Sequence, residues 1–237
     1  MTSSRKLYYA LRNGKNSKLK FFAKAYLQQC IPSWVTRQML RSKLRQLQRR
    51  DDRETILRRV DYYCKLTQAS LYDHEAFKRC AVAIGRQPMV HPKVYYFDAM
   101  EVGRYFDPRR CWVLKTGDVS EKQPVPTILK SRPIGDDNYC SVLLKLNKVR
   151  HFLFVDDAIP WHDKRDMAVF RGDVGNPKDG NVKPNRVVFM NRWYGHPMVD
   201  AASIDSIDGH PEWQGEKISI NQHLDYKFVM SLEGNDV

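Results

Sequence analysis

The run Met167-Ala168-Val169-Phe170, closed at once by Arg171-Gly172, constrains this chain more than any other stretch. A charged lead-in from Asp163 to Asp166 precedes it, and a loop carrying Gly175, Pro177, Gly180 and Pro184 follows. Four apolar residues so bounded read as a buried strand ending in a glycine turn. Such strands belong to sheets that helices cover. In open α/β sheets ligands bind beyond the carboxyl ends of the strands, and Arg171 stands at such an end. A guanidinium there can fork onto a phosphate or carboxylate, and Gly172 lets a ligand approach the backbone. An ordinary strand end with a structural ion pair fits the same two residues.

The chain ahead of this strand changes character near residue 85. Between residues 5 and 29, Leu7, Tyr8, Leu11, Leu19, Phe21, Phe22 and Tyr26 recur at spacings of three and four among Lys and Arg, the pattern of an amphipathic helix, broken into two pieces at Gly14 and Asn16. Its aromatic face suits either a membrane surface or the protein's own body. Ser33 is placed to cap a helix from Trp34 to about Gln48, and Asp51-Asp52 opens another from Arg53 to about Leu66. A third runs from Asp73 to Ile84, stopped by Gly85 and Pro88. Beyond it, Val94 to Phe97, Cys111 to Leu114, Thr127 to Leu129 and, after a short helix or turn, about His151 to Val155 read as strands, and Glu101 to Phe106 as a short helix. Asn185 to Trp193 reads as a helix, and Met198 to Ala201 and Phe228 to Met230 as strands. The expected organisation is a basic helical region over 1–84, an α/β lobe over 85–160, and the start of a second α/β lobe over 161–237. A strand–glycine pattern so close to Val237 calls for a covering helix, which gives the expectation of an incomplete second lobe.

Charge sharpens this division. The net charge of +13 is not spread evenly: residues 1–50 hold thirteen Lys and Arg and no Asp or Glu, leaving 27 basic and 27 acidic residues in the remainder. A basic arm on a neutral body seeks a polyanion, whether anionic lipid, phosphorylated glycan or nucleic acid. The cysteines, Cys30, Cys64, Cys80, Cys111 and Cys140, are odd in number and form no C-x-x-C pair. Zinc spacing and a disulfide framework are therefore not expected, and a reducing cytosol fits. No run of about eighteen apolar residues exists to span a membrane, and the N-terminus lacks the apolar core of a signal peptide.

Among groups able to do chemistry, Asp118 follows a strand and Gly117, a suitable place for a lone general base. A loop aspartate that caps backbone amides is the plainer alternative. Asp156-Asp157 would point to opposite faces of a strand and so would not share a cation easily. The seven histidines show no ligand spacing, and no phosphate-loop, dinucleotide or serine-hydrolase motif occurs. His223, Tyr226 and Lys227 cluster before the last strand.

Five strings in order carry a resemblance: Val113-Leu114-Lys115-Thr116-Gly117-Asp118-Val119, Lys130-Ser131-Arg132-Pro133-Ile134, Leu143 to Phe152, Val169-Phe170-Arg171-Gly172, and His223 to Val237. Over roughly residues 85 to 237 the chain resembles bacterial lipopolysaccharide-core glycosyltransferases of the LpsA type. These belong to glycosyltransferase family 90, with the Rumi-type protein O-glucosyltransferases. The resemblance implies a GT-B-like fold of two Rossmann-type lobes with a sugar nucleotide in the cleft. It further implies inverting, metal-independent transfer of a hexose from a UDP-sugar to the lipopolysaccharide core, with no cofactor. By the same resemblance Asp118 is the base. Arg171, Gly172, His223, Tyr226, Lys227 and Gly234 lie on the donor side, and Lys130 and Arg132 on the acceptor side. The family's nucleotide loop continues past Gly234. The basic arm then fits a cytoplasmic enzyme peripheral on the inner face of the cytoplasmic membrane, with an anionic membrane surface rather than nucleic acid as partner. A nucleic-acid-binding protein using the arm, or a non-catalytic remnant, are the competing readings.

Overall fold

The computed structural model describes residues 16–66, 73–135, 137–153, 155, 157–176, 178 and 180–233. The chain divides into two compact units, residues 16–152 and residues 153–233. The basic helices and the short strands that follow them share the first unit.

In the first unit, α1 (Lys18–Gln29), α2 (Ser33–Gln48), α3 (Arg53–Tyr63) and α4 (His74–Cys80) precede β1 (Val82–Ala83). Ser17 caps α1 and Asp73 caps α4 through their side chains. Ser33 is the first residue of α2 rather than its cap, which is Pro32. The helical pattern of residues 73–84 ends early, because 82–83 pair antiparallel with β2 (Cys111–Trp112). The aromatic face of α1 packs on the body: Phe22 and Tyr26 meet Phe97 edge-on at 5.7 and 4.8 Å, and Ala25 is buried. The packing alternative for that face is the one realised over residues 18–29, and the part of the expected helix over 5–15 lies outside the described residues.

The segment expected as a strand at Val94 to Phe97 is instead the start of α5 (Lys93–Gly103). Its β-branched and aromatic residues favour a strand locally, but Tyr95, Ala99 and Gly103 recur every four residues on the buried face. Gly103 is needed there, since a Cβ would lie 2.6 Å from Cη2 of Trp112. Tyr95, Ala99, Trp112, Ile84 and Leu146 form the core, with Leu114, Ile128 and Leu144 packed against it. A small sheet completes the unit. β3 (Thr127–Leu129) pairs parallel with β4 (Ser141–Leu143), Leu114 bridges Ile128 in parallel, and Cys64 bridges Val142 antiparallel. α6 (Lys148–His151) is the short helix or turn expected ahead of a strand over 151–155, but it takes His151 into itself, and Phe152 and Leu153 are not in a strand; residue 154 lies outside the described residues.

The second unit is built around the strand that ends in Arg171-Gly172. β5 (Arg165–Gly172) is central in a three-stranded parallel sheet, flanked by β8 (Val199–Ser203) and β9 (Tyr226–Val229). α7 (Pro184–Trp193) connects β5 to β8, with a small hairpin of β6 (Gly175–Asn176) and β7 (Asn181–Val182) before it. Phe170 and Ala201 meet Phe189 and Met190 of α7 in a core with Val174, Ile207 and Trp213. α8 (Ile220–His223), held by a Ser219–Gln222 capping box, leads into β9. The molecule is thus mixed α/β, with a parallel sheet in each unit.

Candidate active site

In the first unit the ends of the parallel strands converge on Asp118. Ile128 N–H donates to Val113 O at 2.8 Å and Lys115 N–H to Ile128 O at 2.9 Å, so segment 113–115 runs alongside β3. Both then leave the sheet at their carboxyl ends, the first through Gly117 and the second into Lys130. Gly117 has φ +92°, a left-handed conformation that glycine adopts without strain. The turn brings Asp118 to Lys130, whose Nζ lies 2.5 Å from Asp118 Oδ1. The Lys130 side chain is only 7% exposed and that of Asp118 33%. Among the described residues Oδ2 carries no hydrogen bond. Ser131 fixes the next residue, accepting from Val119 N–H at 3.1 Å and donating to Val119 O at 3.2 Å. His151 Nε2 stands 3.5 Å from Lys130 Nζ.

Arg132 turns the other way. Its guanidinium donates to Tyr62 O and, at 3.4 Å, to Tyr63 O, and sits 5.4 Å from the Tyr62 ring centroid. These are the last carbonyls of α3, where positive charge is favoured by the helix dipole.

In the second unit Arg171 does reach the carboxyl end of β5, but its guanidinium bends back across the sheet. It donates to Asp200 Oδ1 at 2.7 Å, Asp200 O at 2.8 Å and Phe170 O at 2.9 Å. Register explains this: Arg171 pairs with Ala202, so Asp200, two residues back, lies on the same sheet face. Tyr226 reaches Asp200 Oδ2 from the opposite strand, and Arg165 donates to the Tyr226 hydroxyl at 3.1 Å. Burial pushes the Asp200 carboxyl up, but the hydrogen bonds from Tyr226 and Arg171 outweigh it and hold it below its usual range. Burial and Asp200 push the Tyr226 phenol up. Arg171 and Tyr226 thus form one polar ladder across three strands, the ion-pair reading left open by the sequence.

Gly172 is pressed by Phe170 Cζ, 2.9 Å from where a Cβ would be. Lys227 pairs with Asp166 at 3.2 Å and lies 5.8 Å from the Trp161 ring centroid. His223 donates from Nδ1 to Ser219 O at 2.9 Å, which leaves Nε2 as the acceptor nitrogen of the neutral ring. Gly234 lies outside the described residues.

The strand order, first-connected strand on one side of β5 and β9 on the other, makes the carboxyl ends of β5 and β9 a topological switch point, where ligands bind in such sheets. The cations there are Arg186 and Lys183. Arg186 donates to Asp173 O at 2.7 Å, Leu232 O at 3.0 Å and Glu233 O at 3.0 Å, joining the segments that leave both strands. Lys183 pairs with Asp173. Sequence reasoning passed over Arg186, yet a signal existed: it sits in the first turn of α7, where the helix dipole disfavours a cation unless carbonyls receive it.

Parallel strands with a carboxylate at their carboxyl ends in one unit, and a switch point flanked by cations in the other, define an α/β protein suited to a polar ligand. O-glucosyltransferase LpsA of Dichelobacter nodosus is 31% identical over 223 residues, covering 93% of this chain and 66% of that protein. The chain belongs to the LpsA-type glycosyltransferases, and it spans just under two thirds of that relative's length. No protein-family model matches it, and no solved structure does. Among the described residues, no group of three or more His, Cys, Asp or Glu side chains is placed to hold a metal ion, and no helix is long and apolar enough to cross a membrane.

Proposed function

We propose that this chain transfers a hexose, glucose by analogy with its relative's name, from a UDP-sugar to a hydroxyl of the lipopolysaccharide core, with inversion at the anomeric carbon. One observation supports this most: at the ends of parallel strands Asp118 sets Oδ1 against the ammonium of a lysine side chain only 7% exposed, while its own side chain stays 33% exposed. In this reading Oδ2 takes the proton of the acceptor hydroxyl while that oxygen attacks the anomeric carbon from the face opposite the diphosphate. The bond from that carbon to the diphosphate oxygen breaks, and its electron pair leaves with UDP. Negative charge growing on the diphosphate needs fixed donors. Arg186, Lys183 and the N-terminus of α7 are the groups proposed for this, in place of a metal ion. Arg171 holds the sheet beside them. His223 Nε2 remains available to accept from a nucleoside hydroxyl or ring N–H. Each parallel-sheet unit then corresponds to one lobe of a GT-B-type fold.

The acceptor is lipid-anchored in this reading, and the surface of the first unit supports work at an anionic membrane. Leu19, Leu27 and Trp34 are 80%, 71% and 67% exposed, among Lys20, Lys24, Arg37 and Arg41. Exposed leucines and tryptophan beside cations suit the headgroup boundary.

A donor screen with purified core glycolipid tests the proposal. UDP-glucose is expected to give a product whose anomeric configuration is opposite to the donor's. Retention of configuration, or no product from any UDP-hexose, removes it.

A further inference from the structure

The Lys130 side chain is only 7% exposed, and a charge carried so far into the protein must have opposite charge or acceptors to meet it. We infer that Lys130 is the positioning residue of the general base, not a contact to the acceptor sugar; this rests on the transferase reading above. At 7% exposure the side chain offers an acceptor almost no surface, whereas Asp118 Oδ1 is 2.5 Å from its Nζ. Both ends of the pair are anchored. Lys130 leaves β3 directly after Leu129, which is fully buried, and β3 is hydrogen-bonded on both sides, to segment 113–115 and to β4. Its ammonium has a second neighbour in His151 Nε2 at 3.5 Å, on the turn of α6.

On the carboxylate side, Ser131 grips both the N–H and the carbonyl of Val119. The two consecutive residues Lys130 and Ser131 therefore clamp Asp118-Val119, one by the side chain and one by the backbone. With Oδ1 tied, the carboxylate cannot rotate freely, and Oδ2 is presented in one direction. A general base must lie within hydrogen-bond reach of the proton it takes, and small misplacements are expensive in rate. The ammonium also remains in place to face the carboxyl group after it has taken the proton. His151, beside the Lys130 ammonium, supports the clamp.

The test combines kinetics with a signal that needs no turnover. Lys130→Ala is expected to lower kcat by roughly 100-fold, the scale of a misplacement of about 1 Å, with donor and acceptor KM little changed. Added ethylammonium should restore a substantial part of kcat. Raised acceptor KM with kcat intact would make Lys130 an acceptor contact and overturn the inference, as would a lost kcat that no small amine restores. With lysine-selective 15N labelling, the ammonium resonance of Lys130, identified by its absence from Lys130→Ala, is expected in the unmodified chain and should vanish by fast exchange in Asp118→Asn. Its persistence there overturns the pair without any assay of transfer. Absence of transfer by the unmodified chain with this signal intact counts against the transferase reading alone.

Discussion

Replacing Asp98 by asparagine should make stability less dependent on pH. Asp98 is buried in α5, with Oδ2 accepting from Lys148 N–H at 2.8 Å. Oδ1 has no hydrogen-bond partner among the described residues, and Lys148 Nζ stays 3.9 Å away while pairing with Glu101. Burial pushes the carboxyl up, and the Lys148 amide and ammonium offset only part of this, so it titrates at about 6 rather than 3.8. The folded chain then binds this proton more tightly than the unfolded chain. The associated stability is fully present below pH 3.8 and is lost as pH rises through about 6. A gap of about two units, at about 1.36 kcal/mol each, bounds the loss near 3 kcal/mol. Asp98→Asn keeps an acceptor for the Lys148 amide and never ionises, but it removes a countercharge from Lys148. Urea denaturation should show the variant no more stable than the parent at about pH 4, and more stable by about 1–2 kcal/mol at about pH 7.5. Equal differences at the two pH values would refute the reasoning, because nothing else in the substitution titrates in that window.

Two further substitutions probe other parts of the account. Arg171→Ala should destabilise the chain by about 3 kcal/mol, since it strips Asp200 of its cation, and Arg171→Lys should recover little because one ammonium cannot reproduce the forked contact; a urea midpoint within error of the parent would show the ladder to be dispensable. Replacing Leu27 and Trp34 together by Glu should cut sedimentation with phosphatidylglycerol-containing vesicles severalfold while leaving the urea midpoint unchanged; undiminished sedimentation would assign membrane contact to another surface.

Local pattern was a good guide where burial and propensity agreed. Val169-Phe170 is the centre of a parallel sheet, helix 184–193 covers it, and Cys111-Trp112 and Thr127–Leu129 are strands. It failed at Val94 to Phe97, where strand formers lie along the buried face of a helix. Asp118 could be read as a strand-end carboxylate, but the burial of Lys130 could not, because it depends on which strand runs beside which. The same holds for Arg171: its partner Asp200 is set by the register of β5 against β8, and a one-residue slip would place them on opposite faces. Register is a tertiary property, so the sequence left both roles of Arg171 open.

The central claim is that Asp118 takes the acceptor's proton. Asp118→Asn keeps shape and removes basicity, so transfer of labelled hexose from the UDP-sugar to core glycolipid should fall by roughly a thousandfold, with calorimetric UDP-sugar affinity within about twofold of the parent. Transfer at the parental rate in Asp118→Asn would contradict the account.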